Sequence, residues 1–115
     1  MNTWDVVLLR FPFNDGDTGV KIRPALVVSR NEYHNAGQDA LFIPITSNIQ
    51  RQAEYDILID GSNPEFGLTG LAKPSAIRVD KMMNLSKAMV SRQLGMAGPG
   101  IQASVKAALS HFFAI

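Results

Sequence analysis

The segment KIRPALVVSR, residues 21–30, places an arginine and a proline directly before four consecutive apolar residues at positions 25–28. This apolar run is short and rich in β-branched side chains, which predicts a strand inside the core of a small protein. Pro24 holds the backbone of Arg23 in the extended region and removes the next N–H from the ladder. We therefore predict a core strand over residues 21–28, with the Arg23 side chain held where that strand begins.

On both sides of this segment, the sequence pattern predicts about six short strands followed by one helix. The strands are expected at residues 5–11, 21–28, 40–45, 55–59, 75–80 and 88–94. Pro44 cannot donate to a ladder, so we expect it at a sheet edge, a strand end or a bulge. Ser29 and Glu32 have the spacing of a capping box, which predicts a short helical turn through Tyr33.

The C-terminal segment follows a cluster of glycines and has apolar residues at helical spacing. These residues are Ile101, Val105, Ala108, Leu109, Phe112 and Phe113. Residues 14–19 have the composition of a loop, and no repeat, linker or low-complexity segment divides the chain. The expected fold is mainly β: a single domain over residues 1–115, built as a small barrel or half-barrel with a C-terminal helix.

The composition is that of an ordinary globular domain, with 46% hydrophobic and 18% charged residues in a chain of 115. The absence of cysteine excludes disulfides and thiolate metal sites and fits a reducing, cytoplasmic setting. The first residues carry no basic leader, and the apolar run at residues 6–9 is too short to span a membrane. We therefore expect a soluble, unexported protein that has no membrane partner.

The net charge of +1 gives no overall reason to expect binding to a polyanion. The charges are unevenly distributed, however: residues 1–60 carry 5 basic and 8 acidic side chains, whereas residues 61–115 carry 6 and 2. This asymmetry produces a basic surface if the fold keeps the two halves apart, and none if a barrel interleaves them.

Several kinds of catalytic site have no support in the sequence. A Gly-rich phosphate loop is absent, and His34 and His111 are far apart and poorly accompanied, so we expect no metal and no other cofactor. We expect both histidines to lie at the surface or to be partly buried. No histidine accompanies a serine in a hydrolase motif. Catalysis would therefore depend on Arg, Lys, Asp, Glu, Ser, Thr or Tyr.

Three polar residues beside the predicted strands are candidate ligands, and each has an ordinary structural alternative. Arg23 offers a planar set of donors suited to phosphate, or it is simply an exposed arginine beside a turn. Thr46 and Ser47 follow the strand that contains Pro44. Their hydroxyl groups either bind a substrate oxygen, with Ser47 as a candidate for substrate binding, or close the turn through the backbone.

Five further side chains complete the set of candidates. Arg78 and Asp80 are two residues apart on a predicted strand, so we expect both on one face, as an ion pair or with Asp80 as a proton acceptor. Lys73 and Lys21 are cations beside predicted strands. Tyr55 either stacks on a base or packs with its hydroxyl exposed. Lys73, Lys21 and Tyr55 are candidates for substrate binding.

Taken in order, these segments resemble the MazF/PemK family of toxin endoribonucleases. The matching segments are DVVLLRFPF at 5–13, RPALVVS at 23–29, PITS at 44–47, KPSAIRVD at 73–80 and QLG at 93–95. No single segment is specific, but their order and separation agree with the family over nearly the whole chain. The resemblance implies an SH3-like barrel of the CcdB/Kid/MazF type, with a C-terminal helix and usually dimeric.

The resemblance also implies a function and a set of site residues. It implies metal-independent cleavage of single-stranded mRNA at short preferred sequences, growth arrest, and inhibition by a cognate antitoxin that lies across the RNA groove. The family's catalytic arginine falls on Arg23 and its threonine on Thr46. In the Kid-like branch, the residues with acid and base roles match Arg78 and Asp80. That branch also uses a histidine in the first loop, and residues 14–21 contain none.

Metal-free RNA cleavage uses the 2′-hydroxyl as the nucleophile and leaves a 2′,3′-cyclic phosphate and a 5′-hydroxyl. In this reaction Arg23 suits charge stabilisation, and Thr46 suits a hydrogen bond to a non-bridging oxygen. Asp80 suits the base on grounds of pKa, or it fixes Arg78. The alternative is a protein of the same fold that binds a partner without cleaving RNA, like the gyrase-poisoning CcdB toxins.

Overall fold

The computed structural model describes residues 1–11, 21–50 and 53–115, in which it shows seven strands and two α-helices. The strands are β1 (Asp5–Phe11), β2 (Lys21–Val27), β3 (Asp39–Thr46), β4 (Asp56–Ile59), β5 (Ser75–Arg78), β6 (Met83–Ser86) and β7 (Val90–Met96). The helices are α1 (Asn31–Ala36) and α2 (Pro99–Phe113), and 3₁₀ turns lie at Phe66–Thr69, Val79–Lys81 and Lys87–Met89. The loop predicted at residues 14–19 lies outside the described residues.

The strands form an antiparallel sheet in the order β4-β5-β3-β2-β1-β7, and β6 pairs with β3 outside this path. This arrangement, followed by α2, confirms the expected mainly β, barrel-like fold with a C-terminal helix. The described residues contain β6 in addition to the strands that the sequence predicts. Its four residues, MNLS, are too few and too poor in β-branched side chains to give a strand signal on their own.

β3 connects the two parts of the sheet because it changes its partner along its length. Residues 39–42 pair with β6, whereas Ile45 and Thr46 pair with β5. Pro44 lies between these two ladders and is paired on the opposite side with Ala25 of β2. The expectation that Pro44 marks an edge, a strand end or a bulge is therefore wrong, because its missing N–H falls where β3 passes from one partner to the next.

Both faces of the central strands are covered by apolar side chains. The first cluster, which includes residues of α2, contains Val6, Leu26, Ile43, Ile45, Ile59, Ile77, Val79, Ala97, Ile101 and Val105. The second cluster contains Val7, Leu9, Ala25, Val27, Ala40 and Phe42. Because side chains alternate along a strand, Leu26 faces the first cluster and its neighbours Ala25 and Val27 face the second. The unbroken apolar run at residues 25–28 is the consequence of this burial on both faces.

α2 is anchored at its beginning by a carboxylate from a distant loop. Glu65 accepts the N–H of Gly100 on Oε2 and the N–H of Ile101 on Oε1, both at 2.9 Å. Ile101 and Val105 are buried, which confirms the predicted packing face in the first half of the helix, whereas Phe113 near its end is 52% exposed. Although α2 is the longest described helix, neither it nor α1 has the length and hydrophobicity to cross a membrane.

α1 contains a buried histidine, His34. No described side chain forms a capping hydrogen bond at the start of the helix, so the predicted capping box is wrong. The hydroxyl of Ser29 accepts the N–H of Leu41 at 3.1 Å and contacts Nδ1 of His34 at 2.9 Å. The other ring nitrogen of His34 lies 3.1 Å from Oδ1 of Asn31, and the residue is 0% exposed. The expectation of a surface or partly buried position is thus wrong for His34, and it is confirmed for the exposed His111.

Candidate active site

The face of the sheet that carries the second apolar cluster becomes polar toward one end of β2 and β3. Arg23 pairs with Leu9, a member of that cluster, and paired residues of antiparallel strands point to the same face. On β3, Thr46 lies four residues beyond Phe42 and so shares its face. Strand alternation therefore places Arg23 and Thr46, two of the predicted catalytic residues, on the same face of the sheet.

The same polar face continues onto β5 and β4. Thr46 pairs with Ala76 of β5, and Arg78 follows two residues later on the same face. Diagonal neighbours of this kind have their Cβ atoms about 7–8 Å apart, within reach of an arginine side chain. Asp56 of β4 pairs directly with Arg78. We refer to Arg23, Thr46, Arg78 and Asp56, one from each of four adjacent strands, as the polar row.

A surface pocket of about 260 Å³ adjoins the polar row at Arg23. Besides Arg23, it contains two predicted candidates for substrate binding, Ser47 and Lys73. The other residues that line it are Ile22, Pro24, Ile45, Leu71, Ala72 and Ser75. Among the described residues that line it, two are cationic and none is a carboxylate, so this part of the pocket suits an anionic group that lies against an apolar wall.

Arg23 is exposed, and its side chain makes no hydrogen bond or ion pair with any described residue. Its backbone is fixed by the pairing with β1 and by Pro24. The guanidinium therefore extends from a rigid strand, and no described residue occupies its N–H donors. Exposure alone is equally compatible with an ordinary surface arginine, and it is the position beside the pocket that favours a binding role.

Thr46 and Ser47 lie where β3 ends, and the Thr46 hydroxyl performs the turn-closing role that we considered. Its oxygen accepts the N–H of Asn48 at 3.1 Å. A hydroxyl that accepts one hydrogen bond keeps its own hydrogen for a further acceptor, so this turn leaves Thr46 able to donate to a substrate oxygen. Ser47 is exposed and lines the pocket.

Lys73 projects from a corner that is fixed by a buried serine. The hydroxyl of Ser75, which is almost completely buried, donates to the carbonyl of Lys73 at 2.8 Å. Pro74 lies between them and restricts the backbone further. The Lys73 side chain is exposed and lines the pocket, and no described residue forms a hydrogen bond or ion pair with it.

Arg78 and Asp80 do not share one face of a strand, and this prediction is wrong. β5 ends at Arg78, and residues 79–81 form a 3₁₀ turn that rotates Asp80 away. Arg78 is paired with Asp56 instead, with 3.5 Å between Nε and Oδ1. Asp80 forms no hydrogen bond or ion pair with the described residues, and its Oδ1 is buried.

Tyr55 and Lys21 do not line the pocket. The Tyr55 ring packs against α2, with ring centroids 5.1 Å from Phe112 and 5.3 Å from His111. This is the packing alternative that we considered for Tyr55. Lys21 is half-buried at the first position of β2, on the strand that carries Arg23.

Sequence reasoning missed Asp56 and Ser75. Asp56 carries no local signal of a functional role, because only the pairing of β4 with β5 brings it to Arg78. Ser75 belongs to the segment that we expected to be a strand, but its buried hydrogen bond to Lys73 becomes apparent only in three dimensions. Both residues support charged side chains that the sequence did identify.

The sequence matches a protein-family model over residues 2–113, and the family is described as the PemK-like, MazF-like toxins of type II toxin–antitoxin systems. No curated protein matches the chain.

Solved structures of similar shape cover almost the whole chain. The Mycobacterium tuberculosis toxin MazF-mt6 has a TM-score of 0.75 and 18% identity, covering 96% of this chain and 97% of its own. An endoribonuclease in complex with its cognate antitoxin, from Mycobacterial species, has a TM-score of 0.75 and 18% identity, covering 100% and 96%. MazE-MazF from Deinococcus radiodurans (Form-III) has a TM-score of 0.77 and 19% identity, covering 100% and 97%. At these identities the similarity establishes the fold.

Proposed function

We propose that this chain, which belongs to the PemK-like, MazF-like toxins of type II toxin–antitoxin systems, is an endoribonuclease that cleaves single-stranded RNA. The observation that supports this proposal best is the polar row, in which Arg23, Thr46 and Arg78 share one face beside a cationic pocket. A single strand fits such a surface because its unpaired bases can turn away from the backbone and expose the phosphates.

The proposed reaction requires only the RNA and groups that move protons or stabilise charge. The 2′-oxygen forms a bond to the adjacent phosphorus while its proton passes to a base. The bond from phosphorus to the 5′-oxygen breaks, and that oxygen takes up a proton. The products are a 2′,3′-cyclic phosphate and a 5′-hydroxyl. The protein accelerates this step by aligning the 2′-oxygen and by stabilising the negative charge of the phosphorane.

Each catalytic role in this proposal falls to a different side chain. Arg23 stabilises the charge on the phosphorane, since a guanidinium remains protonated at neutral pH and matches phosphate oxygens. Thr46 donates its free hydroxyl hydrogen to a non-bridging oxygen. Asp80 is the proposed acceptor of the 2′-hydroxyl proton because it makes no ion pair with a described residue, although the turn at residues 79–81 takes it off the face of the polar row and its Oδ1 is buried. Arg78 lies beside the same phosphate and supports the departure of the 5′-oxygen.

The pocket next to Arg23 extends the proposed site along the RNA backbone. Lys73 and Ser47 bind a neighbouring phosphate or ribose, because both line the pocket. Lys21 provides a further cation on the strand of Arg23. Tyr55 was a candidate for base stacking, and its packing against α2 gives that role no geometric support. The apolar wall formed by Ile22 and Leu71 and other pocket residues provides a surface for a base or a ribose.

The cellular role and the partners follow from family membership as proposals. We propose that sequence-specific cleavage of mRNA inhibits translation and arrests growth, and that a cognate antitoxin opposes it. One solved structure of similar fold is an endoribonuclease in complex with its cognate antitoxin. We also propose a homodimer, and large apolar side chains outside the pocket, such as Leu68 and Phe113, are exposed on the single chain. Light scattering of the purified protein measures its mass and tests this state.

The test of the proposed activity is cleavage of single-stranded RNA in the presence of EDTA. Purified protein is incubated with single-stranded RNAs of varied sequence, and the 3′ ends of the products are analysed for cyclic phosphate. We expect cleavage at a small number of sites by the wild type. Arg23→Ala should reduce the rate by about 10²- to 10³-fold, the usual effect of removing one charge-stabilising donor, with no change in fold.

The matched control is Arg92→Ala, which removes an exposed arginine of β7 that has no polar partner among the described residues. This variant should cleave at the wild-type rate, because Arg92 lies on β7, outside the polar row and the pocket. RNA that stays intact with wild-type protein across all sequences refutes the proposed activity. Full activity of folded Arg23→Ala protein refutes the assignment of the site.

A further inference from the structure

Asp56 is the most deeply buried charged group in the polar row. Its side chain is 2% exposed, whereas that of Arg78 is 33% exposed. One carboxylate oxygen, Oδ2, accepts the N–H of Ala53 at 2.9 Å, and the other, Oδ1, lies 3.5 Å from Nε of Arg78. Asp56 is thus fixed by the backbone on one side and directs its second oxygen toward the arginine.

The pairing of β4 with β5 makes this contact rigid. Asp56 and Arg78 are direct partners in the ladder, so the two Cβ atoms are held on the same face. The 3.5 Å contact with Nε is an ion pair without a hydrogen bond, and the terminal nitrogens of the guanidinium form no hydrogen bond with a described residue. A carboxylate beside Nε therefore restricts the rotation of the Arg78 side chain, while no described residue occupies its terminal donors.

Asp80 does not perform this task. Its Oδ1 is buried and has no hydrogen-bond partner among the described residues, and the same is true of Oδ1 of Asp56 and Nε of Arg78. The difference is that Asp56 lies within ion-pair distance of Nε and accepts the N–H of Ala53, whereas Asp80 makes no ion pair with a described residue. Asp80 is close to Arg78 in the sequence and Asp56 contacts it in space, and the two carboxylates have different surroundings. Asp56 is committed to the arginine and to a backbone N–H, and Asp80 is committed to neither.

We propose that Asp56 is the positioning residue for Arg78. Because Asp56 orients the arginine, Asp80 is not needed for that task and is free for proton transfer. The proposal rests on the proposed function, because it gives Arg78 a task in RNA cleavage. It also makes a statement about the protein alone: the orientation of Arg78 depends on Asp56 and does not depend on Asp80.

The first experiment measures that orientation without any RNA. The side-chain Nε–H signal of Arg78 is assigned in ¹⁵N NMR spectra and compared among wild-type, Asp56→Asn and Asp80→Asn proteins. We expect a slowly exchanging signal in the wild type and in Asp80→Asn, and a shifted or rapidly exchanging signal in Asp56→Asn. Loss of the signal in Asp80→Asn, or its survival unchanged in Asp56→Asn, overturns the proposal whether or not the protein cleaves RNA.

The second experiment uses RNA cleavage kinetics. Asp56→Asn should lower kcat by about 10- to 100-fold, the effect of misplacing a reacting group by about 1 Å, with a KM within about 3-fold of wild type. In an Arg78→Ala background, Asp56→Asn should have no further effect, because the two residues act as one unit. Asp56→Glu should recover part of the lost activity.

Asp60→Asn is the matched control, since Asp60 lies just beyond β4 and its carboxylate accepts hydrogen bonds from Ser62 and from no other described residue. It should retain the wild-type kcat. If Asp56→Asn and Arg78→Ala reduce kcat additively, Asp56 acts independently of Arg78 and the proposal is overturned. If wild-type protein does not cleave RNA, the proposed function fails, and the NMR comparison still decides the positioning role.

Discussion

Replacement of Glu65 by alanine should measurably destabilise the protein, because this side chain caps α2 from a distance of 35 residues in sequence. Its two carboxylate oxygens accept the backbone N–H groups of Gly100 and Ile101, each at 2.9 Å. These groups belong to the first turn of the helix, where N–H donors have no partner within the helix. The negative charge also lies at the positive end of the helix dipole.

The expected loss can be estimated from these two effects. Removal of a capping side chain costs about 1 kcal/mol, and removal of a favourable charge at a helix terminus costs a further ~0.3–1 kcal/mol. Glu65 makes two such bonds, one of them partly buried, so we expect Glu65→Ala to cost about 2 kcal/mol. Glu65→Gln keeps one carbonyl oxygen but loses the charge, and its expected cost is about 1 kcal/mol.

Thermal and urea unfolding, followed by circular dichroism, measure these values. For a domain of this size, about 2 kcal/mol corresponds to a decrease of roughly 8 °C in Tm, with an unchanged urea m-value. The control is Glu54→Ala, which removes an exposed carboxylate whose one ion-pair partner among the described residues is the exposed His111, and it should change stability by less than about 0.5 kcal/mol. If Glu65→Ala is no more destabilising than Glu54→Ala, the capping argument is wrong.

Two further substitutions test local features of the structure. Gly95→Ala should cost about 3 kcal/mol in unfolding experiments, because a Cβ atom there would lie 2.2 Å from the carbonyl oxygen of Leu68, whereas Gly67→Ala meets no atom within 4 Å and should cost less than about 1 kcal/mol. The side-chain and backbone hydrogen bonds of Ser62 hold the pKa of Asp60 below its ordinary value of 3.8. Ser62→Ala should raise this pKa toward 3.8 in an NMR titration. A carboxylate with a lowered pKa stabilises the fold above its unfolded-state pKa, and this contribution is lost as the pH falls through the folded-state pKa. Ser62→Ala should therefore be less stable than the wild type at pH 7, and this difference should disappear in strong acid.

The sequence was sufficient to predict the parts of the fold that have a local pattern. The strands at residues 5–11 and 21–28 and the helix after Pro99 were found close to their observed limits, because each has an unambiguous apolar period and a clear boundary. β6 lacked such a period. The position of Pro44 inside β3 could not be predicted locally, because β3 pairs with β6 and then with β5, and this change of partner is a property of the assembled sheet.

The candidate site divides in the same way. Arg23, Ser47 and Lys73 were predicted from their positions beside strands, and all three contribute to one pocket. The relation of Arg78 to Asp80 rests on a strand predicted over residues 75–80, but β5 ends at Arg78, two residues earlier, and residues 79–81 form a 3₁₀ turn. A separation of two residues places side chains on one face only while the backbone remains extended.

The arginine before the core run of β2 can now be related to its surroundings. Ala25 and Val27 fill the second apolar cluster, and Arg23 is the next residue on that same face. The same face also becomes polar on the neighbouring strand β3, where Thr46 lies four residues beyond the buried Phe42. The rigidity of the cluster therefore extends directly to Arg23 and Thr46, because β2 and β3 contribute to both the cluster and the polar row. Substitutions that loosen the second cluster should lower activity even though they contact none of the polar side chains, since the strands that present Arg23 and Thr46 derive their positions from it.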